Sequence, residues 1–355
     1  HFQEDARNVI RCWHSTDVAA CPGGGKTTVL LAKLKLLADR MPFVNGAGIC
    51  VLSHTNVAVD EIKKRLSGYA DKLLNYPNYI GTIQSFVDKF VTMPYLRNFA
   101  GRNVQAVDNL TYAKHMLNMM QNSTKYRSLN ILTKNSFETG GQFTERLDHT
   151  QALYVRDDGA LCVKKQKRAL AGADKPSAKQ YNALIEELLK NEGIMRYQDA
   201  YLYANEAICN LPQAYTALFS SRFQYVFIDE YQDCDDVQRR AIDAIFNSTK
   251  CTIIKIGDSD QAIYNSSEDE TPDWVPQDGF LPIMTSCRYS QEIANVIFKL
   301  KKDQQNITTS AGKTGVKPIL LIFNPEQIDK VIGEFINVLE TYGLYDNKGI
   351  YKAIG

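Results

Sequence analysis

Along the chain, short apolar runs rich in β-branched residues alternate with segments whose apolar positions recur every three or four residues. "GICVLS" precedes "NVAVDEIKKRL", and "YVFID" precedes "DDVQRRAIDAIF". A run of four to six apolar residues bounded by turn formers predicts a buried strand, and the 3.6-residue period after it predicts an amphipathic helix. Strand, loop and helix therefore repeat, which predicts an α/β fold with a mostly parallel sheet and its functional loops gathered at the carboxyl ends of the strands. This rhythm occupies residues 1–91 and resumes over 201–300. Between them, 92–200 reads as an inserted, mostly helical subdomain, with helices at "YAKHMLNMM" and "AKQYNALIEELLKNEG" and a hairpin turning at Asp157-Asp158-Gly159. From 301 to 355 a further strand, "PILLIF", and a helix are expected to begin a second α/β domain, incomplete in this chain.

Composition narrows the class. Of 355 residues, 44% are hydrophobic and 23% charged, as in ordinary folded proteins. The eight cysteines are scattered without a Cys-x-x-Cys pair, which fits reduced thiols and a cytoplasmic location better than a disulfide or zinc framework. No apolar run approaches membrane-spanning length, so no membrane partner is expected. The net charge of +1 says nothing of a polyanion. Residues 91–200 carry 16 Lys/Arg against 11 Asp/Glu, a local excess of five that a solvated surface and a nucleic-acid footprint explain equally well.

Two stretches carry chemistry. "ACPGGGKTT" follows a short strand, "DVAA", and opens a helical run. Pro22, Gly23, Gly24, Gly25, Lys26, Thr27 and Thr28 thus form a candidate phosphate cradle: glycines turn backbone N–H groups inward, Lys26 adds a mobile cation, and the Thr27 hydroxyl suits Mg²⁺. In "YVFIDEYQD", Asp229 and Glu230 stand where a buried strand reaches its end. Asp229 suits a metal ion bridging phosphates, and Glu230 a general base for attacking water. Either stretch alone has a bland reading as a helix-start loop or a solvated strand end. Together they predict ATP and Mg²⁺ as cofactors.

"DEYQD" with Gln238 downstream, "GDSDQAIY" (257–264), "SHTNVAVDEIKKRL" (53–66) and "GTIQSF" (81–86) closely resemble, in this order, motifs of the UvrD/Rep/PcrA superfamily 1 DNA helicases. The resemblance covers residues 1–300; no counterpart of the family's motifs V and VI precedes Gly355. It implies a RecA-like P-loop domain with an inserted subdomain, and an ATP-dependent DNA helicase or single-strand translocase moving 3′ to 5′. It also implies roles for individual residues: Gln3 as the adenine reader, Gln261 as the γ-phosphate sensor, and Arg288 as a guanidinium stabilising the transferring phosphoryl group. Thr55, Asn56, Thr82, Gln84 and Ser85 would contact the backbone of single-stranded or partially duplex DNA. Phe86 would lie beside a base or in the core, the core being the commoner place, and Tyr264 near the strand or in structure. The basic run from Lys164 to Arg168 reads as a DNA-facing patch or, more simply, a solvated face. Where the family often has a tyrosine before its motif IV arginine, this chain has Cys287, with Tyr289 as a possible substitute; Trp274 is the nearest replacement for a missing stacking tryptophan and reads more simply as buried. "SHTNVAVDEI" and "GTIQSFVDKF" are also similar to the helicase-like subunit of Gabija anti-phage systems, which implies an OLD-family nuclease as partner. The rival reading is a nucleotide-switched interaction subunit that binds ATP and DNA without unwinding.

Overall fold

The computed structural model describes residues 2–98, 101, 103–136, 143–156, 158–164, 169–210, 212–246, 251–261, 274–301, 306–310 and 317–345. Six strands form the central sheet: β1 (Thr16–Ala20), β2 (Gly48–Ser53), β3 (Tyr79–Thr82), β4 (Phe223–Ile228), β5 (Thr252–Gly257) and β6 (Leu281–Ile283). They lie in the order β6-β1-β5-β4-β2-β3, and every neighbouring pair is parallel. Parallel pairing needs a crossover between consecutive strands, and the helices that provide it cover both faces of the sheet.

Side-chain alternation divides the core. From β2, Ile49 and Val51 join a cluster with Leu30 and Leu34, whereas Cys50 and Leu52 join a cluster with Phe86, Val226 and Ile228 on the opposite face. Because both faces are covered, "GICVLS" is buried at all six positions, which is why it reads as an unbroken apolar run. Helices α1 (Glu4–Arg11) and α2 (Lys26–Ala38) pack on the first face, and α3 (Asn56–Arg65) follows β2.

A third core, built on Tyr112, Met116, Tyr181 and Leu184, holds residues of the inserted stretch. At its base the entering segment Ala106–Val107 pairs with the leaving segment Ile194–Met195. Within it, Leu153–Val155 and Leu161–Val163 form the expected antiparallel hairpin, with Gly159 at φ +80° in the turn; Asp157 lies outside the described residues.

One expectation is corrected. The apolar stretch "PILLIF" forms no strand among the described residues, and Leu320 and Ile322 are 81% and 88% exposed. A strand must satisfy its N–H and C=O groups on a neighbour, and no described strand lies beside this segment. The helix that follows does form, at Val331–Thr341.

Candidate nucleotide and strand-binding site

The carboxyl ends of β1, β2, β3, β4 and β5 all open on one edge of the sheet, and each delivers a residue of interest. After β1 the chain turns through Gly23 (φ +74°) and Gly25 (φ +88°) before α2 starts at Lys26. That left-handed backbone is open to glycine and costly for other residues. Gly23 is further constrained, because a Cβ there would lie 2.7 Å from both Arg288 Cβ and Ser286 Oγ. The Cys287 amide also donates to Gly23 O at 3.2 Å, so the glycine loop and the segment after β6 touch through backbone.

From the end of β4, Glu230 places Oε2 3.0 Å from Lys26 Nζ. Glu230 itself takes φ +53° and is the one non-glycine residue with positive φ among the described residues. Such a conformation in a short acidic turn marks a side chain aimed by its surroundings. Gln232, 1% exposed, does the aiming: its Nε2 donates to Glu230 Oε2 at 2.8 Å, and its Oε1 accepts from the Asp258 amide at 2.9 Å. Asp229 is 2% exposed, and its amide donates to Leu52 O at 2.8 Å. Burial first, then the charge of Glu230, pushes its carboxyl up to about 7 against the opposing pull of Lys26. A buried carboxylate this costly to ionise is where a nearby cation has most to gain. Asp258, at the end of β5, is likewise raised by burial to about 6, with Lys26 and Lys301 pulling it down.

The glycine loop also forms one wall of a cavity of about 580 Å³, whose other walls include Phe2, Gln3, Asp5, Cys287 and Arg288. Two sets of contacts hold α1 there. Asp5 Oδ2 accepts from the amides of Met284 and Thr285, both at 2.9 Å, which fixes the helix's first turn against β6. Lys33 of α2 donates to Val9 O at 2.9 Å and to Cys12 O, closing the end of α1; burial lowers its ammonium to about 8. Gln3 and Arg288, 285 positions apart in the chain, therefore face one space.

At the same edge, Thr55 and Thr82 cap the helices after β2 and β3, accepting from Ala58 N at 3.2 Å and Ser85 N at 3.1 Å. Thr55, Asn56 and Ser85 are exposed, Gln84 is half-buried and donates to Asp88 at 2.8 Å, and Thr82 is buried with its hydroxyl donated to Ser85 Oγ at 2.8 Å.

The placement sorts the remaining candidates. Phe86 is fully buried among Tyr79, Phe90, Phe219, Phe223 and Phe246, so it sits in the core and cannot lie beside a base; its place among DNA-contacting residues is corrected. Gln261 is exposed at the end of the short Ser259–Gln261 turn, outside the walls of the cavity. Tyr264 and residues 165–168 lie outside the described residues, and Lys164 is exposed. Tyr289 packs with Cys21 and Ala294 while Cys287 faces the cavity, so Tyr289 does not replace the missing tyrosine. Trp274 is buried, edge-on to Tyr231, and backs Gly257. Sequence reasoning assigned no role to Asp5, two residues after Gln3, or to Gln232, inside "DEYQD". Their distant partners are residues 284, 285 and 258, which no local pattern announces.

The pattern of the UvrD/REP helicase N-terminal domain matches residues 2–266. The Gabija protein GajB of Bacillus cereus (strain VD045) is 24% identical over 326 residues, which cover 87% of this chain and 53% of that protein. A probable DNA helicase II homolog of Rickettsia felis is 24% identical over 68% of the chain and 34% of its own length. The ATP-dependent DNA helicase PcrA of Staphylococcus aureus (strain Mu50) is 22% identical over 70% of the chain and 31% of its own length. The chain thus spans about half of the first relative and about a third of the others. Among the described residues, no helix is long and apolar enough to cross a membrane.

Proposed function

The chain belongs to the UvrD/REP helicase N-terminal domain family, and from that premise we propose that it is the nucleotide-binding part of an ATP-dependent DNA helicase or single-strand translocase. The observation that carries this reading is the 3.0 Å contact between Lys26 and Glu230, which joins the acidic strand end to a glycine loop that itself walls a cavity with Gln3 and Arg288.

The residues fit ATP and Mg²⁺ by their chemistry. A glycine loop at the start of a 13-residue helix, with a lysine at its first turn, suits a polyphosphate. The Thr27 hydroxyl and the Asp229 carboxylate are hard oxygen donors of the kind Mg²⁺ takes. Bound there, Mg²⁺ and triphosphate would supply the scissile bond and neutralise its charge. Lys26 exchanges Glu230 for phosphate oxygens, which frees the Glu230 carboxylate to accept a proton from water, still oriented by Gln232. Arg288 offers a planar, permanently charged donor to the phosphoryl oxygens, Gln261 acts as the γ-phosphate sensor, and Gln3 pairs with the adenine edge. Pro22, Gly23, Gly24, Gly25 and Thr28 complete the nucleotide site. Thr55, Asn56, Gln84 and Ser85 position a single strand by its phosphates, without reading sequence; Tyr264 is assigned to the same track.

We assign motor domain segments to 1–91 and 201–300, the inserted subdomain to 92–200, and the entry to a second motor domain to 301–355. A 3′ to 5′ direction rests on the motif resemblance. A defence role with an OLD-family nuclease partner rests on the likeness to the Gabija relative. The test is ATP hydrolysis by the protein carrying this chain at full length, with and without single-stranded DNA, alongside Glu230→Gln and Lys26→Ala. Hydrolysis stimulated by DNA, and lowered about 10²–10⁴-fold by Glu230→Gln, supports the reading. Hydrolysis indifferent to DNA would favour a nucleotide-switched subunit instead.

A further inference from the structure

At the opposite end of the sheet from the glycine loop, β3 begins at Tyr79 and β4 is preceded by Arg222. A cavity of about 520 Å³ opens there, beside the edge strand β3, and its walls include Lys63, Lys89, Arg222, Tyr79, Phe90 and Tyr76. Among the described residues, three cations and no carboxylate line it. The Arg222 guanidinium lies 5.1 Å from the ring centre of Tyr76 and 5.1 Å from that of Phe90, and its Nε donates to Pro77 O at 3.0 Å. Lys89 Nζ lies 5.4 Å from the Phe90 ring centre and 5.9 Å from that of Tyr79. Of the acids nearby, Asp88 is buried and accepts from Gln84, Glu61 pairs with Arg65, and Asp71 lines the adjoining smaller cavity together with Lys72.

Tyr76 is 82% exposed, and it also lines a second, smaller cavity of about 260 Å³ whose walls include Met41, Pro42 and Pro77. One ring thus stands between a cationic hollow and a largely apolar one. That pairing matches a ligand carrying an anion and a flat heterocycle a few ångströms apart. Aromatic rings stack any base, and cations held over aromatic rings keep their charge available to phosphate.

We propose that this is a second nucleic-acid site, which takes a phosphate-and-base unit of single-stranded DNA with the phosphate among Lys63, Lys89 and Arg222 and the base against Tyr76. It extends the strand-binding reading given above and rests on it. The site lies about 10 Å along β3 from Thr82 and about 20 Å along β4 from the acidic pair, so it is separate from the nucleotide cavity. A strand that leaves the edge at Ser85 can continue down beside β3 and be held clear of the moving parts.

The test is fluorescence anisotropy of a labelled 16-nucleotide oligo-dT on the full-length protein over a salt series, with wild type, Lys63→Gln/Lys89→Gln and Tyr76→Ala, all exposed or half-buried surface changes. The double variant is expected to flatten the slope of log affinity against log salt by about 1.4, two cations at about 0.7 each on single strands. Tyr76→Ala is expected to weaken binding about tenfold, and hydrolysis without DNA is expected to stay unchanged in both. Wild-type slope and affinity in both variants would overturn the inference while leaving the proposed function standing. No binding of the oligonucleotide by wild type would overturn both. Two further arms use dTMP and poly-glutamate: a variant-sensitive response to either, with oligo-dT unaffected, would reassign the cavity to a free nucleotide or an acidic peptide and overturn the strand assignment.

Discussion

Replacing Gly23 by alanine tests the contact between the glycine loop and the segment carrying Arg288. The residue's φ of +74° costs a non-glycine side chain about 1–2 kcal/mol. The new Cβ would also stand 2.7 Å from Arg288 Cβ and from Ser286 Oγ, nearer than such atoms approach. Neither neighbour is the far end of a flexible chain, and Ser286 is fully buried, so backbone must move. Overpacking of this kind costs about 1–3 kcal/mol, for a total of about 2–5 kcal/mol. Gly25→Ala is the control. Its φ is +88°, but the nearest neighbour a Cβ there would meet is Thr28 Cβ at 3.8 Å, so it bears the conformational cost alone. Thermal melts without nucleotide compare the two, at about 2–4 °C per kcal/mol for domains of 150–250 residues. Gly23→Ala is expected to melt several degrees lower than Gly25→Ala. Because Arg288 is displaced, its kcat is expected to fall more than its nucleotide affinity. Equal melting points for the two variants would refute the contact, and with it the coupling of the two segments.

Three further outcomes follow from the same geometry. Asp5→Ala leaves the amides of Met284 and Thr285 without their acceptor, at about 1–3 kcal/mol each where buried; KM for ATP is expected to rise as α1 loosens, and an unchanged KM and melting point would contradict this. Asp88, raised to about 6 by burial, binds its proton more tightly folded than unfolded, so its contribution to stability is present below about 4 and lost as pH rises through 6. Asp88→Asn is therefore expected to remove that slope and to stabilise the protein at pH 8 by up to about 3 kcal/mol, two pKa units' worth, as read by melts across pH 4–8; a lower melting point at pH 8 would count against it. Asp199→Ala removes the carboxylate that accepts from Nε and Nη2 of Arg196, leaving a guanidinium whose side chain is 4% exposed with the carbonyls of Gln151 and Leu153 but no counter-charge. The expected loss is about 3–5 kcal/mol in urea unfolding, and a loss under about 1 kcal/mol would show the pair to be dispensable.

The sequence by itself determined the parts whose causes are local. Both faces of β2 are covered, so its six residues read as one apolar run; α2 follows a glycine loop because only glycine takes φ near +74° and +88° without strain; Thr55 and Thr82 stand where helix caps are needed. Strand identity, helix identity and the chemistry of the glycine loop and acidic pair were legible for that reason. Tertiary structure decided what depends on neighbours distant in the chain. Strand order put β5 between β1 and β4, so that Asp258 and Gln232 joined Lys26 and Glu230. Asp5 met Met284 across 279 positions, and Phe86, equally suited by composition to a base or a core, was claimed by five other aromatic rings. "PILLIF" has the composition of a strand but is paired with no strand among the described residues, since pairing is a property of two segments and a sequence pattern describes only one.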